Sequence, residues 1–382
     1  MTAAWTRALL PLAVIVAIAA VFITTRPLDF LSAGVPPAEE LTVERATLDS
    51  QGLHLTVRSG AWEPLTVAQV QVDGAYWEFT LTPDAPLGRL AAARLDIPYP
   101  WTAGEPHIVK VVTSTGATFE HTIAVAATTP RQGAADFAVF AVVGLMVGVV
   151  PVATGMLFFP LLRRISRRGL DFVLALTIGL LAFLLIDTLE EGLEAAAKAA
   201  TGLQAGLAVW LAAGATFLTL MWIGRRGGRR PEGRALAFYI ALGIGLHNLG
   251  EGLAIGASFA IGETALASFL IVGFMLHNVT EGVGISAPLV GERPGWPLFA
   301  GLAAVAGLPA VVGTWAGAFA FAPHWAVLCF GIGAGAILQV IVEVGAFIGR
   351  RASAAGDGWL TGSGLAGFAA GLAVMYGTAL LI

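Results

Sequence analysis

Two six-residue segments carry side chains that can do chemistry together. His247-Asn248-Leu249-Gly250-Glu251-Gly252 and His277-Asn278-Val279-Thr280-Glu281-Gly282 both read His-Asn-x-x-Glu-Gly, 30 residues apart. At about 100° per residue on an α-helix, the Asn stands about 100° from the His and the Glu about 40°. All three side chains therefore lie on one arc, with the carboxylate between imidazole and amide. One helix then offers a nitrogen ligand, an anionic oxygen able to bridge, and a neutral oxygen. Gly262, 15 residues from each histidine, is the natural turn of a hairpin, and antiparallel packing brings the two imidazoles level. Imidazole with carboxylate suits Zn2+, Fe2+, Mn2+ or Co2+, and no thiolate is present to hold a metal permanently. The alternative is that each His and Glu merely ties neighbouring helices together. Duplication of the whole motif at matched depth favours the metal.

The elements that must position these groups are apolar. Of 382 residues, 57% are hydrophobic and 12% charged, against about 25% charged in a soluble domain, which points to the bilayer. A net charge of −4 and the lack of a long basic run argue against nucleic acid as a partner. The one cysteine, Cys329, excludes a disulfide framework within the chain and reads as a buried apolar residue. From Asp136 onward we expect eight spans: 137–162, 171–193, 203–223, 235–260, 265–289, 297–321, 325–349 and 359–381. Each can cross a hydrocarbon core of about 30 Å at about 1.5 Å per residue. The pairs Gly144/Gly148, Gly313/Gly317, Gly331/Gly335 and Gly367/Gly371 would let helix backbones approach closely in lipid.

Ahead of the core, residues 8–23 form an apolar run between Arg7 and Arg26. It reads as an uncleaved anchor helix, since Ser32-Ala33-Gly34 is a poor signal-peptide cleavage site. Residues 27–130 change character. Alternating runs at Leu53–Val57, Val67–Val72, Tyr76–Leu81, His107–Thr113 and Thr118–Ala124 are separated by turn signals such as Asp73-Gly74. They predict a small immunoglobulin-like β-sandwich. Twelve basic residues (Arg163, Arg164, Arg167, Arg168, Arg225, Arg226, Arg229, Arg230, Arg234, Arg293, Arg350 and Arg351) follow alternate spans, while the other loops hold Lys198. That asymmetry puts the arginine-rich loops in the cytoplasm. The expected architecture is an all-α polytopic membrane core of eight transmembrane helices, preceded by an anchor helix and a small extracytoplasmic β-sandwich. Its divisions are 1–26, 27–130 and 131–382, in a cell (plasma) membrane, with the C-terminus also extracytoplasmic.

The paired motif on consecutive spans resembles the fourth and fifth helices of the ZIP (Zrt/Irt-like) divalent-metal transporters. The resemblance covers the eight-span core and implies metal binding between those helices. Carried over by position, His247, Asn248 and Glu251 match the fourth-helix ligands, and His277, Asn278 and Glu281 the fifth-helix ones. Gly250 and Thr280 stand where the family usually has proline, and Ala310 stands where a sixth-helix glutamate would complete a second metal site. Gln339 and Glu343 occupy the seventh span where similar proteins have a polar ligand on the ion path. Asp187, Glu190 and Glu191 lie in a second-span region that often carries His and Glu; we count Asp187 and Glu191 as path residues. The loop at 225–234 lacks the histidines of many members.

His54, His107 and His121 in the β region read as solvated strand or loop residues, and His324 as an interfacial one. Trp296, Trp315, Trp325 and Trp359 fit aromatic belts. The expected activity is import of divalent ions, Zn2+ first, as substrate and not as a cofactor of an enzyme; no organic cofactor is expected. An inside-negative potential supplies about 4.6 kcal/mol per 100 mV to a dication, twice the single-charge value. An intramembrane metal-dependent hydrolase and a metal sensor signalling through the β region are the competing readings. Partners are then divalent cations and the lipid bilayer, with a homodimer left open.

Overall fold

The computed structural model describes residues 2–25, 38–226, 231–354, 356 and 361–380. Arg26, Ser32-Ala33-Gly34, Arg229, Arg230 and Trp359 lie outside them. The chain divides into two compact units, Met1–Ala38 and Glu39–Ile382. Among its described residues the first holds one apolar helix, α1 (Thr2–Thr25), with Pro11 inside it.

The second unit begins with two four-stranded antiparallel sheets among the described residues. Strands β1 (Leu41–Asp49), β2 (Gly52–Ser59), β5 (Thr80–Thr82) and β6 (Ala92–Ile97) form one in the order β1-β2-β6-β5. Strands β3 (Val67–Val72), β4 (Ala75–Trp77), β7 (His107–Thr113) and β8 (Thr118–Ile123) form the other in the order β4-β3-β7-β8. Alternation builds the core between them. Leu53, Leu55 and Val57 on β2 stand opposite Ile97, Leu95 and Ala93 on β6, while Val70 and Val72 on β3 stand opposite Val111 and Val109 on β7. All ten are buried. Asp73 and Gly74, both at positive φ, make the two-residue turn from β3 to β4.

The run expected as one strand over Tyr76–Leu81 is two. Its first half pairs with β3 and its second with β6, so the chain changes sheet at Glu78-Phe79. Strands β1 and β6 were not expected, because charges interrupt their apolar pattern. Those charges are paired: Glu44 bonds Arg58 Nε at 2.7 Å, and Arg94 bonds Asp96 at 2.7 Å.

Among the described residues, seven helical segments are long and apolar enough to cross a membrane. The first, Ala134–Leu162, consists of α2 (Ala134–Gly144), a π-turn at Leu145–Val149, α3 (Val150–Met156) and α4 (Phe159–Leu162). The others centre on α5 (Arg167–Ala197), α6 (Ala205–Arg225), α7 (Gly233–Ala260), α8 (Thr264–Ser286), α9 (Trp296–Ala320) and α10 (Pro323–Ala354). Where an eighth span was expected, α11 (Gly362–Ala379) is a shorter helix of 18 residues. It packs on α5, with Gly367 against Phe172 and Gly371 against Leu176.

Packing sorts these helices into two groups. The first span, α7, α8 and α9 pack mainly on one another; α5, α6, α10 and α11 do the same. The main seam between the groups is α7 against α10. All four glycine pairs singled out in the sequence lie at close helix crossings: first span on α9, α9 on α7, α10 on α6, and α11 on α5. Within this unit the β region grips helix ends from both groups. Arg45 Nη1 donates to Phe319 O at 2.5 Å and Nη2 to Ala318 O at 3.2 Å, at the end of α9. Glu44 Oε1 lies 3.1 Å from His324 Nδ1 on α10, and Glu40 accepts from Thr201 N at 2.7 Å just ahead of α6. Gly262, at φ +81°, turns α7 into α8 beside Val125 and Ala127.

Candidate metal centre

Apolar stretches make α7 and α8 helical, and the turn at Gly262 makes them antiparallel, so the two motifs meet. His247, Asn248, Glu251, His277, Asn278 and Glu281 are each at most 4% exposed. Glu251 Oε1 lies 3.1 Å from His247 Nε2 and 2.5 Å from His277 Nε2. One ligand atom each from His247, Glu251 and His277 falls within a 4.8 Å cluster. The 3.1 Å approach of His247 lacks hydrogen-bond geometry, which leaves that ring nitrogen unpaired in a buried place. Two imidazoles and a carboxylate aimed at one point are a donor set for a divalent cation.

Neighbouring elements aim these groups. Thr188 Oγ1, buried on α5, lies 3.3 Å from His247 Nδ1. With Nδ1–H donating there, Nε2 keeps its lone pair for an ion. Asn278 Nδ2 donates to Glu251 Oε2 at 3.0 Å and to Val147 O at 3.1 Å. In an α-helix Val147 O would receive the N–H four residues on, but that residue is Pro151, which has none. The π-turn and the asparagine amide answer that gap. Asn248 Nδ2 donates to Ala306 O at 3.0 Å, one turn before the Pro309 position in α9. Both asparagines thus act as ties to neighbouring helices, while their Oδ1 atoms have no hydrogen-bond partner.

The motif's glycines have a packing role. A Cβ on Gly252 would fall onto Ala310 O, and one on Gly282 onto Val152 O. They let α9 and α3 close over the centre.

Other expected residues are placed less centrally. Glu281 is buried with both oxygens unpaired, outside the three-residue cluster. Asp187 and Glu191, half-buried on α5, are near enough to Glu251 to interact with it electrostatically. Gln339 and Glu343 are each 1% exposed on α10, and Glu343 Oε1 pairs with Arg225 at 3.1 Å. Thr188 and Pro151 were missed. A proline within an apolar span was the readable signal for Pro151; a lone threonine gives none.

Two of the β-region histidines, His54 and His107, are held by carboxylates, while His121 is half-buried. His107 is buried with Nδ1 2.8 Å from Asp73, and His54 lies 2.5 Å from Asp96 and 3.1 Å from Asp49. The bond from His54 keeps Asp49 below its ordinary carboxylate value, helped by Gln51 N. Burial pushes Asp73 and Asp96 up, but donors outweigh it and both end lowered: Ile108 N, His107 and Tyr99 at Asp73, and Arg94 and His54 at Asp96. Burial lowers His121. Trp296 and Trp325 are exposed, whereas Trp315 donates to Phe137 O at 2.9 Å. Cys329 is only partly buried. A scan against protein-family models finds no match for this chain, and neither does a search of curated proteins.

Proposed function

We propose that this chain is a ZIP-type membrane transporter that carries divalent metal ions, Zn2+ first, into the cytoplasm. The observation that carries the proposal is the convergence of His247, Glu251 and His277 within 4.8 Å between two apolar helices. An intramembrane cluster of ionisable groups is costly and marks an ion path by default. The centre also sits at the seam between the two helix groups. His247 belongs to α7, yet it meets Thr188 of α5, and Gly333 of α10 comes within van der Waals reach of its Cα. A site at such a seam can be opened to either side by movement of one group against the other.

In this reading α11 is the eighth span, the arginine-rich loops face the cytoplasm and the β region faces outward. The sheet orders correspond to strands A, B, E, D and C′, C, F, G of an immunoglobulin-type sandwich. A cation entering the centre replaces the proton that His277 Nε2 shares with Glu251, and Glu251 can bridge two neighbouring ligands. The absence of thiolate at the three-residue centre allows release.

The bonds from Glu40, Glu44 and Arg45 to helix ends favour one further reading, a metal sensor that signals through the β region. Uptake of Zn2+ by the purified chain in proteoliposomes separates the two. Saturable uptake that Glu251→Ala abolishes, in a protein still folded and inserted, is the expected result. Wild-type uptake in that variant overturns the assignment.

A further inference from the structure

Along its first half α10 is covered on one side by α6, with Gly331 and Gly335 packed on Val209 and Ala213. Further along, α6 leaves that side. Its Gly224 packs on the ring of Tyr239 in α7, and Arg225 reaches Glu343 of α10. At about 100° per residue Glu343 stands about 160° from Gly345 round α10, so the end of α6 lies away from the Gly345 face. On that face a groove of 740 Å³ opens between α5 and α10, lined by Ile178 of α5 and by Ile341, Val342, Gly345, Ala346 and Gly349 of α10. The groove faces away from the metal centre. Gly345 stands about 180° from Ala336, which with Val340 packs on Gly243 of α7.

From Ile341 to Ser353, the last lining residue, α10 advances about 18 Å, and half of the hydrocarbon core is about 15 Å. The groove is therefore as long as one leaflet is thick. Its lining is apolar until Arg350. That guanidinium is short of partners. Its Nη2 donates to Pro231 O at 3.5 Å, and Nε lies 3.2 Å from Glu232 Oε1 outside hydrogen-bond geometry, so Nε and Nη1, both buried, have no acceptor. Glu232 is 66% exposed and offers only a solvent-screened counter-charge. The adjacent Arg351, by contrast, donates from Nε to Asp171 Oδ1 at 3.2 Å.

A buried donor without an acceptor is costly, and a guanidinium matches a phosphate through two parallel N–H···O bonds. An apolar slot of one leaflet's length with a cation at its polar end has the form of a phospholipid. Basic pockets between transmembrane helices hold anionic headgroups in this way. We propose that this groove binds an anionic phospholipid of the leaflet at the arginine-rich end, with its acyl chain along Gly345 and Gly349 and its phosphate on Arg350. Seated there, the lipid fills the place that α6 vacates and ties α5 to α10. Such binding needs a bilayer and does not depend on metal transport.

The test is native mass spectrometry of the full-length chain in detergent, titrated separately with phosphatidylglycerol, phosphatidylcholine of the same acyl chains, and inorganic phosphate. Wild type should hold phosphatidylglycerol about five-fold more tightly than phosphatidylcholine, the effect of one guanidinium beside an anionic headgroup. Arg350→Gln should bind the two lipids alike, while Arg164→Gln, in another of the arginine-rich loops, should keep the preference. Gly345→Leu changes no charge; its Cβ meets Ile178 Cδ1 at an ordinary 3.8 Å and the rest of the side chain fills the groove, so both lipids should bind more weakly. No preference in wild type, one that survives Arg350→Gln, or one that Arg164→Gln also removes, overturns the proposal. Displacement of the lipid by an equal concentration of inorganic phosphate overturns it too, since the site would then be one for a free anion. Should Arg350→Gln not fold, Gly345→Leu decides the matter, and undiminished binding of phosphatidylglycerol there refutes the lipid site.

Discussion

Asn278→Ala separates two tasks that one side chain performs. Its amide nitrogen donates to Glu251 Oε2 at 3.0 Å and to Val147 O at 3.1 Å, the carbonyl whose α-helical partner is Pro151. Truncation withdraws a donor from a buried carbonyl, which costs about 1–3 kcal/mol of stability. It also frees one oxygen of the Glu251 carboxylate, a candidate metal ligand. Loss of such an outer support lowers metal affinity about 10–100-fold, or roughly 1.4–2.8 kcal/mol. Pro151→Ala restores an N–H four residues after Val147 and so repairs the first loss but not the second. The double variant Pro151→Ala/Asn278→Ala should therefore unfold near the temperature of Pro151→Ala alone, yet bind Zn2+ as weakly as Asn278→Ala. Tryptophan fluorescence on heating reads stability in detergent, and titration against a competing chelator dye reads affinity. Wild-type affinity in Asn278→Ala, or affinity recovered through Pro151→Ala, would refute this reasoning.

Gly252→Ala puts a methyl group on Ala310 O and 2.9 Å from Thr314 N, so it should lower the unfolding temperature by the roughly 1–3 kcal/mol of an overpacked core. Gly206→Ala, with open space around it, should leave that temperature unchanged in the same scan. One tightly bound metal per chain is expected at the centre. Ala310 is fully buried against the first span and α7, which leaves no acid there to offset the roughly 16 kcal/mol by which two dications about 4 Å apart repel at an effective dielectric of 20. Two full-occupancy anomalous peaks in a Cd2+-soaked crystal would contradict that count. The β region should be acid-labile in a defined sense. Asp49, Asp73 and Asp96 are all held below their ordinary values, so their contribution is complete above about pH 4 and is lost as pH falls through the lowered values. Fluorescence of Trp77 and Trp101 should report this, and Asp73→Asn should flatten the acid slope; an unchanged slope counts against the assignment.

The two helix groups give the centre its setting. Glycine contacts lock α7 to α9 and the first span to α9, so those helices are suited to move together. On the other side of the seam, α5 contributes Thr188 and α10 contributes Gly333 beside His247. Glu44 and Arg45, adjacent on β1, bond to the start of α10 and the end of α9. Relative motion of the two groups therefore bears directly on the β region.

The sequence by itself determined what depends on local periodicity and residue chemistry. A motif repeated on two apolar stretches, with a glycine turn midway, brought His247, Glu251 and His277 to one depth through helical pitch and an antiparallel hairpin, while the equivalent Glu281 stayed outside the cluster. Period-two alternation likewise marked β2, β3, β7 and β8, and small-residue spacing marked the close helix crossings. Tertiary structure decided whatever rests on partners distant in the chain. Strands β1 and β6 were hidden because their charges are satisfied by Arg58, by each other and by helix ends, which no local pattern reveals. The change of sheet at Glu78-Phe79 depends on which neighbour each half pairs with. Asn278 became a tie because Pro151, 127 residues earlier, lacks an N–H. The pairing of Arg225 with Glu343 spans 118 residues and exists only because α6 ends where α10 passes.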